Sequence, residues 1–158
     1  MTLTAVPTQQ VTWPPGRALA DARRAREHTR NALLEWGLAD YSGDVELIVT
    51  ELVTNALRHG TGLVSTRISW DSQGDLRVEV HDDGPGRPQR RGPALDAESG
   101  RGLAVVDGLL ALYDGSFDVS DDEHGDGKTV HALVCLGTPG VGAKGARPGP
   151  GSRGGQRG

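Results

Sequence analysis

Glu51-Leu52-Val53-Thr54-Asn55-Ala56-Leu57-Arg58-His59 is the stretch on which the fold turns. With Val45, Ile48 and Val49 before it, Leu52, Val53 and Ala56 recur at spacings of three and four, which predicts a helix with one apolar face against a core. At about 100° per residue, Glu51 and Asn55 fall about 40° apart on one border of that face, and His59 lies a further turn along. A carboxylate and an amide there can reach a ligand lying along the helix. Taken alone, such a pair is more often two solvated boundary residues, so the weight rests on what accompanies this helix.

Upstream, residues 16–36 are rich in helix formers and carry Ala22, Ala25, Thr29, Leu33 and Trp36 on one stripe; Gly37 stops that helix. Ser42 or Asp44 is expected to cap the next one, which ends at Gly60 and Gly62. Downstream, Val64, Thr66, Ile68 and Trp70 alternate with polar residues, Asp71-Ser72-Gln73-Gly74-Asp75 turns the chain, and Leu76, Val78 and Val80 alternate again. That pattern is a hairpin with one buried face. Asp82 shares the parity of Leu76, Val78 and Val80, so it points to the core side as the strand ends. A buried carboxylate without a donor costs roughly 1–3 kcal/mol, so Asp82 needs a partner. A loop amide would serve structurally; a ligand would serve functionally.

After Asp82 come Asp83-Gly84-Pro85-Gly86 and a stretch over 87–99 rich in Pro, Gly, Arg and Gln, which reads as a long loop of the lid kind. It ends at Gly100-Arg101-Gly102-Leu103, from which Leu103, Val106, Leu109 and Leu110 start a new helical stripe. Glycines at a helix start let a phosphate approach free N–H groups, although a glycine hinge feeding a core helix has the same look. A short strand over 115–119 and an acidic turn over 121–126 lead to Gly127-Lys128-Thr129 and a final apolar strand to Leu136. Thr129 is open between a phosphate contact and an ordinary β-branched strand residue.

Composition sets limits. The length suits one domain, with an N-terminal extension over 1–16 that is not expected to be regular throughout, a domain over 17–136 and a tail over 137–158. The tail holds nine Gly, three Pro, one Lys and three Arg with no acid, as a disordered segment would. Up to Leu136 there are 13 Lys plus Arg against 21 Asp plus Glu, so the folded part is acidic and a nucleic-acid surface is not expected. Cys135 is the single cysteine, which excludes an internal disulfide. No stretch has the length and apolarity of a membrane span or of a signal peptide, so a cytoplasmic protein is expected.

Four signals thus stand in order: Glu51 to His59, Asp82-Asp83-Gly84-Pro85-Gly86, Gly100-Arg101-Gly102-Leu103 and Gly127-Lys128-Thr129. In that order and spacing they resemble the Bergerat-fold (GHKL) ATP-binding superfamily, and within it the anti-sigma factor serine kinases of actinobacterial type. The resemblance implies an α+β, two-layer sandwich, with helices on one face of a mixed, mostly antiparallel sheet and a flexible ATP lid. It implies Asn55 as the Mg²⁺ ligand and Asp82 as the acceptor for the adenine amino group. Gly84 and Gly86 would close on the base, and Gly100, Gly102 and Leu103 would form the lid hinge and phosphate turn. His59, Lys128 and Thr129 complete the implied nucleotide-binding set, Thr129 touching base or phosphates. Glu51 is implied as general base toward a substrate hydroxyl, and Arg101, then Lys128, as the cation near the γ-phosphate. The chain departs from some relatives in carrying Glu98 where they place an arginine just ahead of the turn.

The function implied is an ATP- and Mg²⁺-dependent serine/threonine kinase that phosphorylates an anti-sigma factor antagonist and holds a sigma factor in the alternative complex; a homodimer is usual among the kinases it resembles. The competing expectation is a module that binds ATP and a partner without transfer. A sensor histidine kinase fragment is less expected, because no helix pair bearing a substrate histidine precedes this domain. A gyrase- or chaperone-like ATPase would require a transducer domain after Leu136.

Overall fold

The computed structural model describes residues 7–16, 18–84, 97–125 and 127–137. Its elements are β1 (Pro7–Gly16), α1 (Leu19–Glu35), a short 3₁₀ turn (Ala39–Tyr41), α2 (Ser42–His59), β2 (Val64–Asp71), β3 (Asp75–Asp82), α3 (Ala97–Leu112), β4 (Ser116–Asp121) and β5 (Lys128–Cys135). The five strands form one sheet in the order β1-β2-β3-β5-β4. Every pairing among them is antiparallel, so the parallel component of the expected mixed sheet is not found among the described strands.

The helices lie on one face, α2 in the middle with α1 on one side and α3 on the other. The apolar stripe of α2 does what its period requires: Val45, Ile48, Val49, Leu52, Val53 and Leu57 are buried. They meet Val64 and Ile68 of β2, Leu76, Val78 and Val80 of β3, and Val130, Ala132 and Val134 of β5 in one core. Burial in β3 alternates strictly from Leu76 to Asp82, as a strand with one face to the core must. Among the described residues no helix is long and apolar enough to cross a membrane.

The extension over 1–16 holds a strand, which from Pro7 pairs at the sheet edge with β2, and two expectations need correction. Thr8, Val11, Thr12 and Trp13 suit a strand, and an edge position tolerates Pro7, Pro14 and Pro15, with the register shifting at both proline sites. Neither Ser42 nor Asp44 caps α2; the cap position is Tyr41 and no side chain bonds there. Asp44 instead accepts the Tyr113 hydroxyl from the end of α3, and Ser42 donates to Glu46. The loop before Gly100 is also shorter than expected, because α3 already starts at Ala97. Ala97 and Glu98 are good helix formers, and an acid in a first turn suits the helix dipole. Gly37 ends α1 as expected: at φ +75 its N–H bonds Leu34 O, and Leu38 N–H bonds Leu33 O at 2.7 Å.

One contact holds α1 to α2 by charge. Glu46 is only 6% exposed on α2. It accepts from Arg30 at 2.8 and 3.0 Å, from Arg26 at 3.4 Å and from Ser42 at 2.5 Å. Burial pushes its pKa up, but the Ser42 and Arg30 hydrogen bonds, the Arg30 charge and the Arg26 bond outweigh it and hold the carboxyl below the ordinary glutamate value of 4.5. A carboxyl with a lowered folded pKa stabilises fully above the unfolded value, and that contribution is lost as pH falls through the folded one. Glu46→Ala is expected to lower stability by roughly 1–3 kcal/mol near neutral pH. Urea unfolding of both proteins should show the gap shrinking as pH falls below 4.5; a gap unchanged in acid would contradict the assignment.

Candidate functional site

The site forms where α2 ends, β3 ends and β5 begins. After His59 the chain leaves the helix at Gly60, whose N–H still bonds Ala56 O at 2.9 Å, and returns through Thr61 and Gly62 into β2. This return brings Gly62 N–H to Oδ1 of Asp82 at 3.2 Å, while Gly84 N–H donates to the same oxygen at 2.7 Å. Asp82 is 2% exposed, and its Oδ2 has no hydrogen-bond partner. Oδ2 faces the Lys128 ammonium at 3.6 Å, beyond hydrogen-bond reach. Lys128, 7% exposed, donates instead to Gly84 O at 3.3 Å. One oxygen of this buried carboxylate is thus hydrogen-bonded twice, while the other has only the ion pair with Lys128 and no hydrogen-bond donor.

Glycine is required around this acid. A Cβ on Gly60 would lie 1.4 Å from Asp82 Oδ2, and one on Gly84 would lie 2.3 Å from Thr61 Oγ1 and 2.6 Å from Gly62 N. Backbone here approaches the carboxylate as closely as it can.

Along α2 the polar groups stand in line. Asn55 and Glu51 are half-buried and lie about one and two turns back from the Gly60 end, and His59 is exposed at that end. Glu51 meets α3: its Oε2 would be 2.4 Å from a Cβ on Gly102. From its Gly60 end to Glu51, α2 rises by about 13 Å, with Asn55 in between.

The model of the histidine kinase-, DNA gyrase B- and HSP90-like ATPases matches residues 41–138. The chain belongs to this family. Among solved structures it is similar to the histidine kinase domain of Erythrobacter litoralis EL346 blue-light activated histidine kinase, with TM-score 0.52 and 24% identity over 75% of this chain and 60% of that one. It is also similar to another structure of the EL346 blue-light activated histidine kinase, at TM-score 0.50 and 30% identity over 62% of this chain and 31% of that one. A third is full-length ShkA in complex with AMPPNP, at TM-score 0.52 and 24% identity over 88% of this chain and 32% of that one. The chain therefore spans less than two thirds of each. No protein of curated function matches it.

In an ATP-binding GHKL domain of this kind, the residues present fit the nucleotide. Asp82 Oδ2 is a buried acceptor with no hydrogen-bond donor, and at Gly60, Gly62 and Gly84 the chain packs more closely around Asp82 than any side chain would allow. Among the described residues no three His, Cys, Asp or Glu side chains are gathered for a metal. A Mg²⁺ ion would rest on Asn55 and on the phosphates, as that ion commonly takes one or two protein oxygens.

The other expected residues sort as follows. Asp82, Gly84 and Lys128 are in mutual contact, Glu51 lies against Gly102, and Asn55 stands on α2 between the Gly60 end and Glu51. Thr129 does not join them: in β5 it pairs with His81 and Ser120, its side chain on the outer face of the sheet. Lys128 takes the inward place opposite Asp82, and its ammonium lies against Asp82 Oδ2 and Gly84 O. Gly100 and Gly102 are helical within α3, so the Gly102 N–H belongs to the helix ladder and no open phosphate turn exists there. Leu103 is 2% exposed in the core. Arg101 lies in α3, while Gly86 and most of the expected lid fall outside the described residues. The inward role of Lys128 was available from its parity with Val130, Ala132 and Val134; the Gly60 approach carries no sequence signal beyond a helix stop.

Asp82→Asn puts an NH₂ where one acceptor stood, against Gly62 and Gly84 amides or against the ligand. Mg-ATP affinity is expected to fall by roughly tenfold or more, with the circular dichroism spectrum unchanged. Unaltered affinity by calorimetry would remove the adenine role from Asp82.

Proposed function

We propose that the protein is an ATP-dependent serine/threonine protein kinase of the anti-sigma factor type. It phosphorylates an anti-sigma factor antagonist and regulates a sigma factor by partner switching in the cytoplasm, without contacting nucleic acid itself. The observation that carries this reading is Glu51: one turn before Asn55, at the end of the site opposite Asp82, and close against Gly102.

In this reading a serine or threonine hydroxyl of the antagonist attacks the terminal phosphorus, its proton passes to Glu51 Oε, and ADP leaves. General-base help of this sort is worth roughly 10² to 10⁴ in rate. Asn55 would hold a Mg²⁺ that would neutralise phosphate charge, and Arg101 is proposed as the cation toward the γ-phosphate. The added phosphate charge on the antagonist then changes which partner the kinase holds. A homodimer is part of the same proposal.

The helical state of Gly100 and Gly102 favours a second reading, because it takes up an amide that a phosphate turn needs. In that reading the domain binds ATP and a partner but transfers negligibly. Incubation with labelled ATP and candidate antagonists separates the two. Transfer that falls roughly 10²-fold or more in Glu51→Gln, at unchanged ATP affinity, is expected of the kinase. Tight ATP binding with no transfer to any antagonist would support the module.

A further inference from the structure

Two of the glycines in α3, Gly102 and Gly108, stand on ordinary helical backbone with no positive φ. The helix itself therefore asks for neither, and each weakens it, because a glycine has more backbone freedom to lose than an alanine and packs nothing. What stands in the place of the missing side chain separates them. Around Gly108 nothing lies within 4 Å of an added Cβ. At Gly102 the same atom would run into Oε2 of Glu51, with Glu51 Cδ at 3.4 Å, and no other described neighbour comes within 4 Å. One carboxylate, brought by α2, thus fills the side-chain place of one α3 glycine.

The two helices are not free to part. Leu103 and Val106 beside Gly102 lie in the same buried core as Leu52 and Val53 beside Glu51. A methyl group at 102 would therefore displace the carboxylate, which ends a flexible stem, before it displaced either backbone. Resting on the reading of Glu51 as general base, we propose that Gly102 is a positioning residue for phosphoryl transfer, keeping open the place in which the Glu51 carboxylate stands. The step is the one already described: the hydroxyl oxygen bonds the terminal phosphorus, the bond from phosphorus to the ADP oxygen breaks, and the hydroxyl proton passes to Glu51. Gly102 touches none of these atoms and acts only through Glu51. A general base has to stand about 2.6–3.2 Å from the oxygen it deprotonates, and a displacement of about 1 Å can cost on the order of a hundredfold in rate.

The test compares the full chain as wild type, Gly102→Ala and Gly108→Ala, by thermal melting and by steady-state transfer from labelled Mg-ATP to the candidate antagonist proteins. Gly108→Ala, with open space around it, is expected to raise the melting temperature by roughly 1–4 °C and to leave transfer unchanged. Gly102→Ala is expected to gain less in melting temperature, to keep KM for ATP within about twofold, and to lose roughly tenfold to a hundredfold in kcat. Beside Glu51→Ala, nothing opposes the methyl group: Gly102→Ala should then gain as much in melting temperature as Gly108→Ala and take nothing further from the residual transfer. An unchanged kcat in Gly102→Ala overturns the proposal. So does a loss that appears in KM for ATP, which would return this glycine to the phosphates, or an effect on melting and kcat that is the same with and without the Glu51 carboxylate. Should Gly102→Ala fail to fold, normal folding beside Glu51→Ala supports the proposal, and failure there too overturns it. A wild type that transfers to no antagonist removes the kinase reading and the role of Gly102 together, whereas an active wild type with full transfer in Gly102→Ala removes Gly102 alone.

Discussion

The uneven satisfaction of Asp82 organises this molecule. A carboxylate that is 2% exposed holds two backbone N–H groups on Oδ1 and none on Oδ2. The satisfied oxygen ties the turn after α2 to the turn after β3, and so fixes the helix against the sheet at one end. The unsatisfied oxygen is a cost that a folded domain keeps only where a partner arrives from outside or where a nearby charge offsets it. Lys128 at 3.6 Å supplies part of that offset, and in the proposed reading a base would supply the rest.

From this anchor the remaining polar groups acquire positions. Gly60 has to be glycine because Asp82 Oδ2 fills the place of its side chain, and from Gly60 α2 runs back past Asn55 to Glu51, away from Asp82. The far end is held by different means: Asp44 takes the Tyr113 hydroxyl, the Tyr41 and Tyr113 rings meet edge to face at 6.1 Å, and Glu51 lies on Gly102. These contacts set α3 along α2. On the other flank, Glu46 gathers Arg30, Arg26 and Ser42. Helix α2 is thus held at both sides by side-chain polar contacts and beneath by its apolar stripe, a rigid platform for a site built along one edge.

Much of this was legible in the residues, for reasons that differ by element. The stripe from Val45 to Ala56 and the alternation from Leu76 to Val80 each commit a face to the core, and Asp82 inherits its inward direction from period two alone. The same rule applied to β5 would have put Lys128 inward and Thr129 outward; motif likeness pointed the other way, and strand parity decides it. β1 was hidden because its prolines resemble a disordered lead, and an edge strand tolerates them where an inner strand would not. The start of α3 was hidden because glycines mark a helix end locally, while Ala97 and Glu98 extend it. Glu46 was hidden among the charges of a helix, since only the packing of α1 across it reveals its burial.

The central claim is that a purine nucleotide is held at Asp82, between the Gly60 turn and β5. Amide-resolved NMR of the ¹⁵N-labelled protein, titrated with Mg-ATP, addresses it most directly. The largest shifts are expected at the N–H groups of Gly62, Gly84 and Lys128, with smaller ones at Asn55 and Glu51. An unchanged spectrum, or changes confined to the outer-face residues Thr129, His131 and Ser120, would contradict the account.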